Sequence, residues 1–170
     1  MKRCMALVVV ICSCALLSAQ QAKPGVLSAD EVRKVVPAVY FFRGQSASVQ
    51  LRNSGGFRVP EGKLVLAGLV DTSGYASDVQ AKYQGFLITE VKLNIAGTDL
   101  PPGENGFGFS QGGKFLVMDV GATDLFSVAS QLDAKFAPPV PLKIGEDGSA
   151  YRPYPGRTRV DLKPEEGGPA

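Results

Sequence analysis

The sequence of 170 residues contains no histidine and no tryptophan, and its only cysteines are Cys4, Cys12 and Cys14. The absence of histidine, with no cysteine after residue 14, excludes a serine–histidine triad, a cysteine–histidine pair and the usual zinc and copper sites. The remaining catalytic options are carboxylate pairs, Ser–Lys dyads and tyrosine or arginine sites. Exposed tryptophan, which would favour sugar binding, is also missing.

Residues 1–19 have the layout of a cleavable secretory signal peptide. A short basic start is followed by an uncharged apolar run over residues 4–17 and then by small and polar residues. This run is shorter than the roughly 20 apolar residues that cross a bilayer. We therefore predict an exported protein, cleaved after Ala19 or, as a second choice, after Ala22, with no membrane span in the mature chain. Two alternatives stay open, an uncleaved anchor and a lipoprotein acylated at Cys14.

Removal of this segment changes the composition of the chain. It takes away Lys2 and Arg3 but no acidic residue, so the 18 basic residues fall to 16, equal to the 16 acidic residues. All cysteines leave as well, which excludes disulfides, thiolate nucleophiles and thiolate metal sites. The balanced charge gives no basic field to attract nucleic acid or an anionic membrane. We predict no nucleic-acid partner, no cofactor and no metal.

The mature part carries all 20 glycines and all 12 prolines, a density typical of short strands joined by tight turns. It predicts an all-β domain over residues 28–162, with about ten short strands, mainly antiparallel, in a sandwich or a partly open barrel. One short N-terminal helix is expected, because Ser28 and Glu31 fit a capping box and Pro37 ends the pattern. A linker is expected over residues 20–27 and a disordered tail over residues 163–170.

Turn signals divide the predicted strands. Hairpins are expected at residues 53–56, 111–113 and 146–148, each rich in glycine. Residues 85–96 alternate in polarity, which predicts one strand with a buried face. The strands predicted in this way are 38–43, 48–52, 57–59, 63–70, 85–96, 106–110, 114–120, 124–129, 141–144, 149–152 and 158–162.

Residues 69–74, Leu-Val-Asp-Thr-Ser-Gly, resemble the apolar–apolar–Asp–Thr–Gly signature of retropepsin-like aspartic proteases. The resemblance implies that Asp71 is a catalytic residue in a β-rich dimer whose two aspartates share one proton. Ser73 stands where that family has glycine. The alternative is a strand end followed by an Asx turn, in which Asp71 accepts a hydrogen bond from a nearby backbone N–H.

Two aromatic groups are candidates for a binding surface. Phe107 and Phe109 alternate with glycines, a pattern that also suits core packing with close backbone approach. The second group combines tyrosine and arginine, residue types common at interaction hot spots, although an edge strand with solvated arginines is the alternative. The ligand-binding residues predicted from this second group are Tyr151, Arg152, Tyr154, Arg157 and Arg159.

Residues 95–109, IAGTDLPPGENGFGF, and the following residues 114–121 resemble a stretch of small exported bacterial β-domains of unknown function. The resemblance implies a β fold and an envelope or secreted setting, and no activity. We therefore predict an exported, non-enzymatic domain that binds a protein or small ligand in the cell envelope or outside the cell. The competing hypotheses are an aspartic hydrolase centred on Asp71 and a structural subunit of an envelope assembly, which would show a long unpaired edge strand.

Overall fold

The computed structural model describes residues 23–110, 112–134, 140–148 and 150–165, with side chains at all of these except 140 and 154–156. The predicted signal peptide and residues 166–170 lie outside the described residues. The described part contains helices α1 (Ala29–Val35) and α2 (Ser77–Gln80). Its strands are β1 Gly25–Val26, β2 Val39–Phe42, β3 Gln45–Arg58, β4 Leu64–Val70, β5 Gly85–Thr89, β6 Leu93–Ile95, β7 Thr98–Leu100, β8 Gly103–Phe109, β9 Lys114–Met118, β10 Asp124–Ala129, β11 Gln131–Leu132, β12 Val140–Asp147, β13 Ala150–Gly156, β14 Thr158–Arg159 and β15 Leu162–Pro164.

The strands form a main sheet and a second sheet, both antiparallel. The main sheet has the order β1-β3-β4-β5-β8-β9-β10, with β2 also paired to β3, and the second has the order β12-β13-β15-β6-β7. A short pair, β11 and β14, stands apart. The predicted all-β, antiparallel fold is confirmed. The structure divides it into fifteen strands rather than about ten, because pieces such as β1, β7, β11 and β14 are only two or three residues long and carry no periodicity of their own.

One face of the main sheet packs against the second sheet. Phe57, Leu87 and Val117 of the main sheet share a buried cluster with Leu93 and Leu162 of the second. Burial of apolar side chains between two sheet faces is the main stabilising term of a sandwich. The arrangement is therefore sandwich-like.

The opposite face of the main sheet is buried as well. Phe86 and Met118, one residue away in sequence from Leu87 and Val117, point the other way because side chains alternate along a strand. They pack beneath α1, β2 and the segment around α2, with Tyr40 and Phe42 as the buried side chains from β2. Burial on both faces explains why β4 is apolar at nearly every position.

The hairpin predicted at residues 53–56 is wrong, because β3 runs through it from Gln45 to Arg58. Gly55 and Gly56 are required by close packing rather than by a turn. A Cβ at Gly56 would lie 2.5 Å from the carbonyl oxygen of Val65, and one at Gly55 would lie 2.9 Å from Cγ1 of Ile144. Glycine is thus the residue that lets β4 and β12 approach the β3 backbone.

The single strand predicted over residues 85–96 is two strands in different sheets. Thr89 turns the chain, since its Oγ1 donates to the carbonyl oxygen of Val91 at 2.5 Å and accepts from the Val91 N–H at 3.2 Å. The predicted buried face is confirmed at Leu87, Leu93 and Ile95. The alternation of buried and exposed side chains continues across the turn because β5 and β6 both contribute side chains to the core between the sheets.

The other two predicted hairpins are present as β8–β9 and β12–β13. In β8, Phe107 is buried, with its ring centroid 5.6 Å from that of Phe115. The glycines on either side of Phe107 leave room for neighbouring atoms on the opposite face of β8. A Cβ at Gly106 would lie 2.4 Å from the Phe42 ring. A Cβ at Gly108 would lie 1.9 Å from the Lys82 carbonyl oxygen.

The start of the described chain is held by a helix cap and a short strand. Ser28 Oγ accepts from the Glu31 N–H at 3.3 Å, and the Glu31 carboxylate accepts from the Ser28 N–H at 2.9 Å, which is a capping box at the start of α1. Residues 20–27 were expected to form a linker, but Gly25–Val26 pairs with β3 as β1, and Leu27 is buried. Neither helix of the described residues is long and apolar enough to cross a membrane.

The end of the described chain also differs from expectation. Residues 163–165 of the tail expected over residues 163–170 belong to the described structure, and the Glu165 N–H donates to the carbonyl oxygen of Lys92 at 2.9 Å. The Lys92 ammonium lies 2.7 Å from the carboxylates of both Asp99 and Glu165. Strand pairing of β15 with β6 and this ion pair hold a segment whose composition alone suggested disorder.

Candidate functional site

Asp71 lies at the surface, directly after β4. Its carboxylate accepts a hydrogen bond from the Ser73 N–H at 3.0 Å, and this bond lowers the pKa of Asp71. The Tyr75 N–H donates to the Thr72 carbonyl oxygen at 3.0 Å and closes the turn. This is the geometry of an Asx turn. A proton-sharing aspartate pair needs one carboxyl with a raised pKa, so the environment of Asp71 gives no support to the hydrolase interpretation.

Two of the predicted binding residues, Arg152 and Arg159, meet at one carboxylate. Arg152 Nε lies 2.7 Å and Arg159 Nη1 lies 3.0 Å from Asp161 Oδ1. Arg152 also pairs with Asp147, and Arg159 Nε lies 3.9 Å from Asp133. We call these five residues the arginine cluster. Its guanidinium groups are neutralised and mostly shielded, with the Arg152 side chain only 17% exposed.

The other predicted binding residues with described side chains, Tyr151 and Arg157, do not share a surface patch. Tyr151 is half-buried and stacks on Phe57, with ring centroids 3.6 Å apart and an interplanar angle of 2°. Burial and the nearby Glu146 raise the pKa of Tyr151. Arg157 is exposed and lies outside the arginine cluster, and the side chain of Tyr154 lies outside the described part of the structure. Tyr151 thus contributes to the core between the sheets.

A groove of about 720 Å³ lies between α1, β1, β3 and β12. Pockets that bind small molecules commonly measure about 300–1,000 Å³. Two of its apolar side chains, Val26 and Leu51, are 41% and 40% exposed. We call this the α1–β12 groove. Its large apolar lining residues are Val26, Leu27, Val32, Leu51, Leu142 and Ile144.

The charged residues lining this groove are all cationic. Arg33 comes from α1, Arg52 from β3 and Lys143 from β12, and no acidic side chain is among the described lining residues. Arg33 pairs with the exposed Asp30 at 2.5 Å. Arg52 is exposed and has no acidic partner in the described ranges. The groove therefore combines an apolar lining with a positive charge at three of its walls.

Two strand irregularities shape the groove. In β3 the register with β4 shifts between Val49 and Ser54, so three extra residues bulge from the ladder. Ser54 Oγ donates to the Gln50 carbonyl oxygen at 3.0 Å, and Gln50 Nε2 donates to the Val70 carbonyl oxygen at 3.2 Å, which fixes the bulge. Bulges commonly re-aim side chains, and here the bulge carries Leu51 and Arg52.

The second irregularity is in β12, whose register with β13 shifts between Val140 and Lys143. Leu142 lies within that shift and lines the groove. The sequence analysis did not single out Leu51, Arg52 or Leu142. The sequence signal that could have pointed to Leu51 is a lone apolar residue within the polar run Gln50–Asn53, which otherwise has no core-facing pattern.

Other features of the described residues give weaker support for a binding or catalytic site than the α1–β12 groove does. A hollow of about 180 Å³ beside Asp161 and Lys163 is smaller than common ligand pockets. No group of three or more acidic side chains suited to a metal ion occurs in the described ranges. Burial raises the pKa of Tyr40 and Tyr83 above its ordinary value, and Tyr83 stacks on Phe42 at 3.8 Å. These tyrosines are neutral core residues at ordinary pH.

One edge of the main sheet is strand β10. Its register with β9 shifts at Leu125, which is 49% exposed, and Asp124 at its start pairs with Lys82 at 2.5 Å. A bulge and an edge charge are devices that keep sheet edges from pairing with other chains. This edge therefore gives little support to assembly through strand addition.

Comparison of the chain with protein-family models, curated protein sequences and solved structures finds no significant match. The resemblance of residues 95–109 to exported bacterial β-domains stays an expectation. Arguments about function rest on the sequence and the geometry described above.

Proposed function

We propose that this chain is an exported, non-enzymatic domain that binds a small ligand in the α1–β12 groove. The observation that carries the proposal is the groove itself, a concave surface of ligand-binding size with exposed Val26 and Leu51 over a lining of buried apolar side chains. Export is supported by the signal-peptide pattern of residues 1–19. The expected setting is the cell envelope or the extracellular space.

The chemistry of the chain favours binding over catalysis. The sequence has no histidine, and its cysteines lie within the predicted signal peptide. The Asp161 carboxylate beside β13 forms ion pairs with two arginines, and the Asp71 carboxylate accepts a hydrogen bond within a turn. Apolar grooves with a few charged groups at the rim bind by excluding water and orient their ligands with the polar groups.

A neutral reporter tests the groove. N-phenyl-1-naphthylamine becomes fluorescent in apolar surroundings, and we expect it to bind the mature chain. Leu51→Asp should weaken this binding at least about tenfold, because a charge would be placed in an apolar site. The matched control is Leu125→Asp, which changes an exposed leucine on β10, outside the groove. Equal binding by both variants, or no binding by the wild type, would contradict the proposal.

Export has a separate test. Expression of the full sequence in a bacterial host should give a soluble product whose intact mass corresponds to a chain starting at Gln20 or, for the second cleavage position, at Lys23. A product that retains residues 1–19 would support the uncleaved anchor, and a product with a lipid on Cys14 would support the lipoprotein. Either result would contradict cleavage after Ala19 or Ala22.

A further inference from the structure

We infer that the ligand of the α1–β12 groove is an anionic amphiphile, a single alkyl chain ending in a carboxylate. This inference rests on the proposed function and adds the chemistry of the ligand. The apolar lining from Leu51, Leu142 and Ile144 suits an alkyl chain, which gains free energy as its surface leaves water. The cationic side chains at the walls of the groove suit the charged end.

Charge complementarity selects an anion. Arg33 on α1 and Arg52 on β3 each place a cation at the groove, and the described lining has no acid. Arg52 is the strongest determinant, because no acidic side chain of the described residues competes for its guanidinium group. A guanidinium binds a carboxylate through paired, charge-assisted hydrogen bonds. Arg33, which already shares its charge with Asp30, is expected to contribute less.

The strand geometry beside the groove disfavours an extended peptide as occupant. A peptide adds to a sheet by extending a regular row of backbone donors and acceptors. In β3 that row is interrupted between Val49 and Ser54, and the Gln50 carbonyl oxygen is already used by Ser54 Oγ. The register of β12 is interrupted between Val140 and Lys143. A ligand in this groove would therefore be recognised by side chains rather than by a ladder of backbone hydrogen bonds.

The test displaces bound N-phenyl-1-naphthylamine with amphiphiles of one chain length, each below its critical micelle concentration. Dodecanoate, dodecanol and dodecyltrimethylammonium differ only in the charge of the head group. We expect dodecanoate to bind about tenfold more tightly than dodecanol, and the ammonium compound to bind weakest. Arg52→Gln should remove most of the preference for dodecanoate, because it should weaken the binding of dodecanoate far more than the binding of dodecanol.

The matched control is Arg157→Gln, which removes the same charge from an exposed arginine outside the groove. This control should keep the preference for dodecanoate. Equal displacement by dodecanoate and dodecanol in the wild type would overturn the inference and leave the groove a neutral binding site. Equal loss of preference in both variants would also overturn it, because net charge rather than the groove would then decide.

Failure of the proposed function would look different. If the neutral probe itself does not bind, the groove is not a ligand site and the proposed function fails together with the inference. If probe binding weakens as protein concentration rises and sedimentation detects a dimer, a second copy of the chain occupies the groove, which overturns the amphiphile as ligand.

Discussion

The arginine cluster and the α1–β12 groove both present arginines beside apolar surface, yet their surroundings differ. In the arginine cluster, Asp161 bridges Arg152 and Arg159, and both guanidinium groups are neutralised and largely shielded. In the groove, Arg52 is exposed with no acidic partner among the described residues. The comparison teaches that the partner of an arginine, rather than the arginine itself, decides whether its charge stabilises the fold or is available to a ligand.

The largest effect on stability is expected in the arginine cluster. Asp161→Asn should lower the free energy of unfolding by about 2 kcal/mol, because two partly buried guanidinium groups lose their shared anion. Urea unfolding followed by circular dichroism measures the change. Binding of N-phenyl-1-naphthylamine by the folded variant should not change.

Asp30→Asn is the matched control for this substitution, since Asp30 pairs with Arg33 at the exposed surface beside the groove. The loss there should be below about 0.5 kcal/mol, because exposed ion pairs contribute little. Equal losses for Asp30→Asn and Asp161→Asn would remove the distinction between the two regions.

An intermediate effect is expected at the helix that forms one wall of the groove. Ser28→Ala should cost about 1 kcal/mol, because it removes the side-chain cap of α1. Probe binding should also weaken, since Val32 of α1 lines the groove. Differential scanning calorimetry and probe titration measure the two changes. Unaltered stability would mean that the packing of Val32, rather than the cap, holds the helix.

The effect of Ser28→Ala on the free energy of unfolding should depend on pH. Hydrogen bonds from the backbone N–H and, second, from the hydroxyl of Ser28 lower the pKa of Glu31 below its ordinary value of 4.5, and Ser28→Ala removes only the bond from the hydroxyl. A carboxylate with a lowered pKa in the folded state stabilises the fold above its ordinary pKa, and that stabilisation is lost as the pH falls through the folded-state pKa. The difference in stability between wild type and Ser28→Ala should therefore shrink below about pH 4. A difference that grows in acid would contradict this assignment.

The smallest effect on stability is expected for Arg52→Gln. The free energy of unfolding should stay within about 0.5 kcal/mol of the wild type, because the substituted residue is exposed and has no ion-pair partner among the described residues. Combined with Asp161→Asn, the losses should add, since the two sites share no ion-pair partner. Urea unfolding of the single and double variants measures both. A loss at Arg52 as large as that at Asp161 would show that Arg52 stabilises the fold.

Much of the fold could be predicted from local patterns. The alternation of Leu87, Leu93 and Ile95, the capping box at Ser28 and the glycine-rich turn at residues 111–113 depend on neighbours in sequence, and each lies in the structure where it was expected. The long strand β3 could not be predicted, because Gly55 and Gly56 look like a turn until β4 and β12 are seen to press on their backbone.

The candidate site was harder to predict for the same physical reason. Tyrosine and arginine content pointed to residues 151–159, but Asp147 and Asp161, close to these arginines in the chain, and the more distant Asp133 neutralise two of them. Arg52 had no distinguishing pattern, because its placement depends on a bulge that separates it from the ladder. That bulge has no signal within a short window of sequence.

The sequence by itself determined the class of fold, the expected export and the absence of histidine and late cysteine chemistry, because composition and short-range periodicity suffice for these properties. The tertiary structure alone decided where the apolar surface stays open. The groove forms between residues that are distant in the chain, such as Leu51 and Leu142. Their contacts exist only after the two sheets and α1 have packed together.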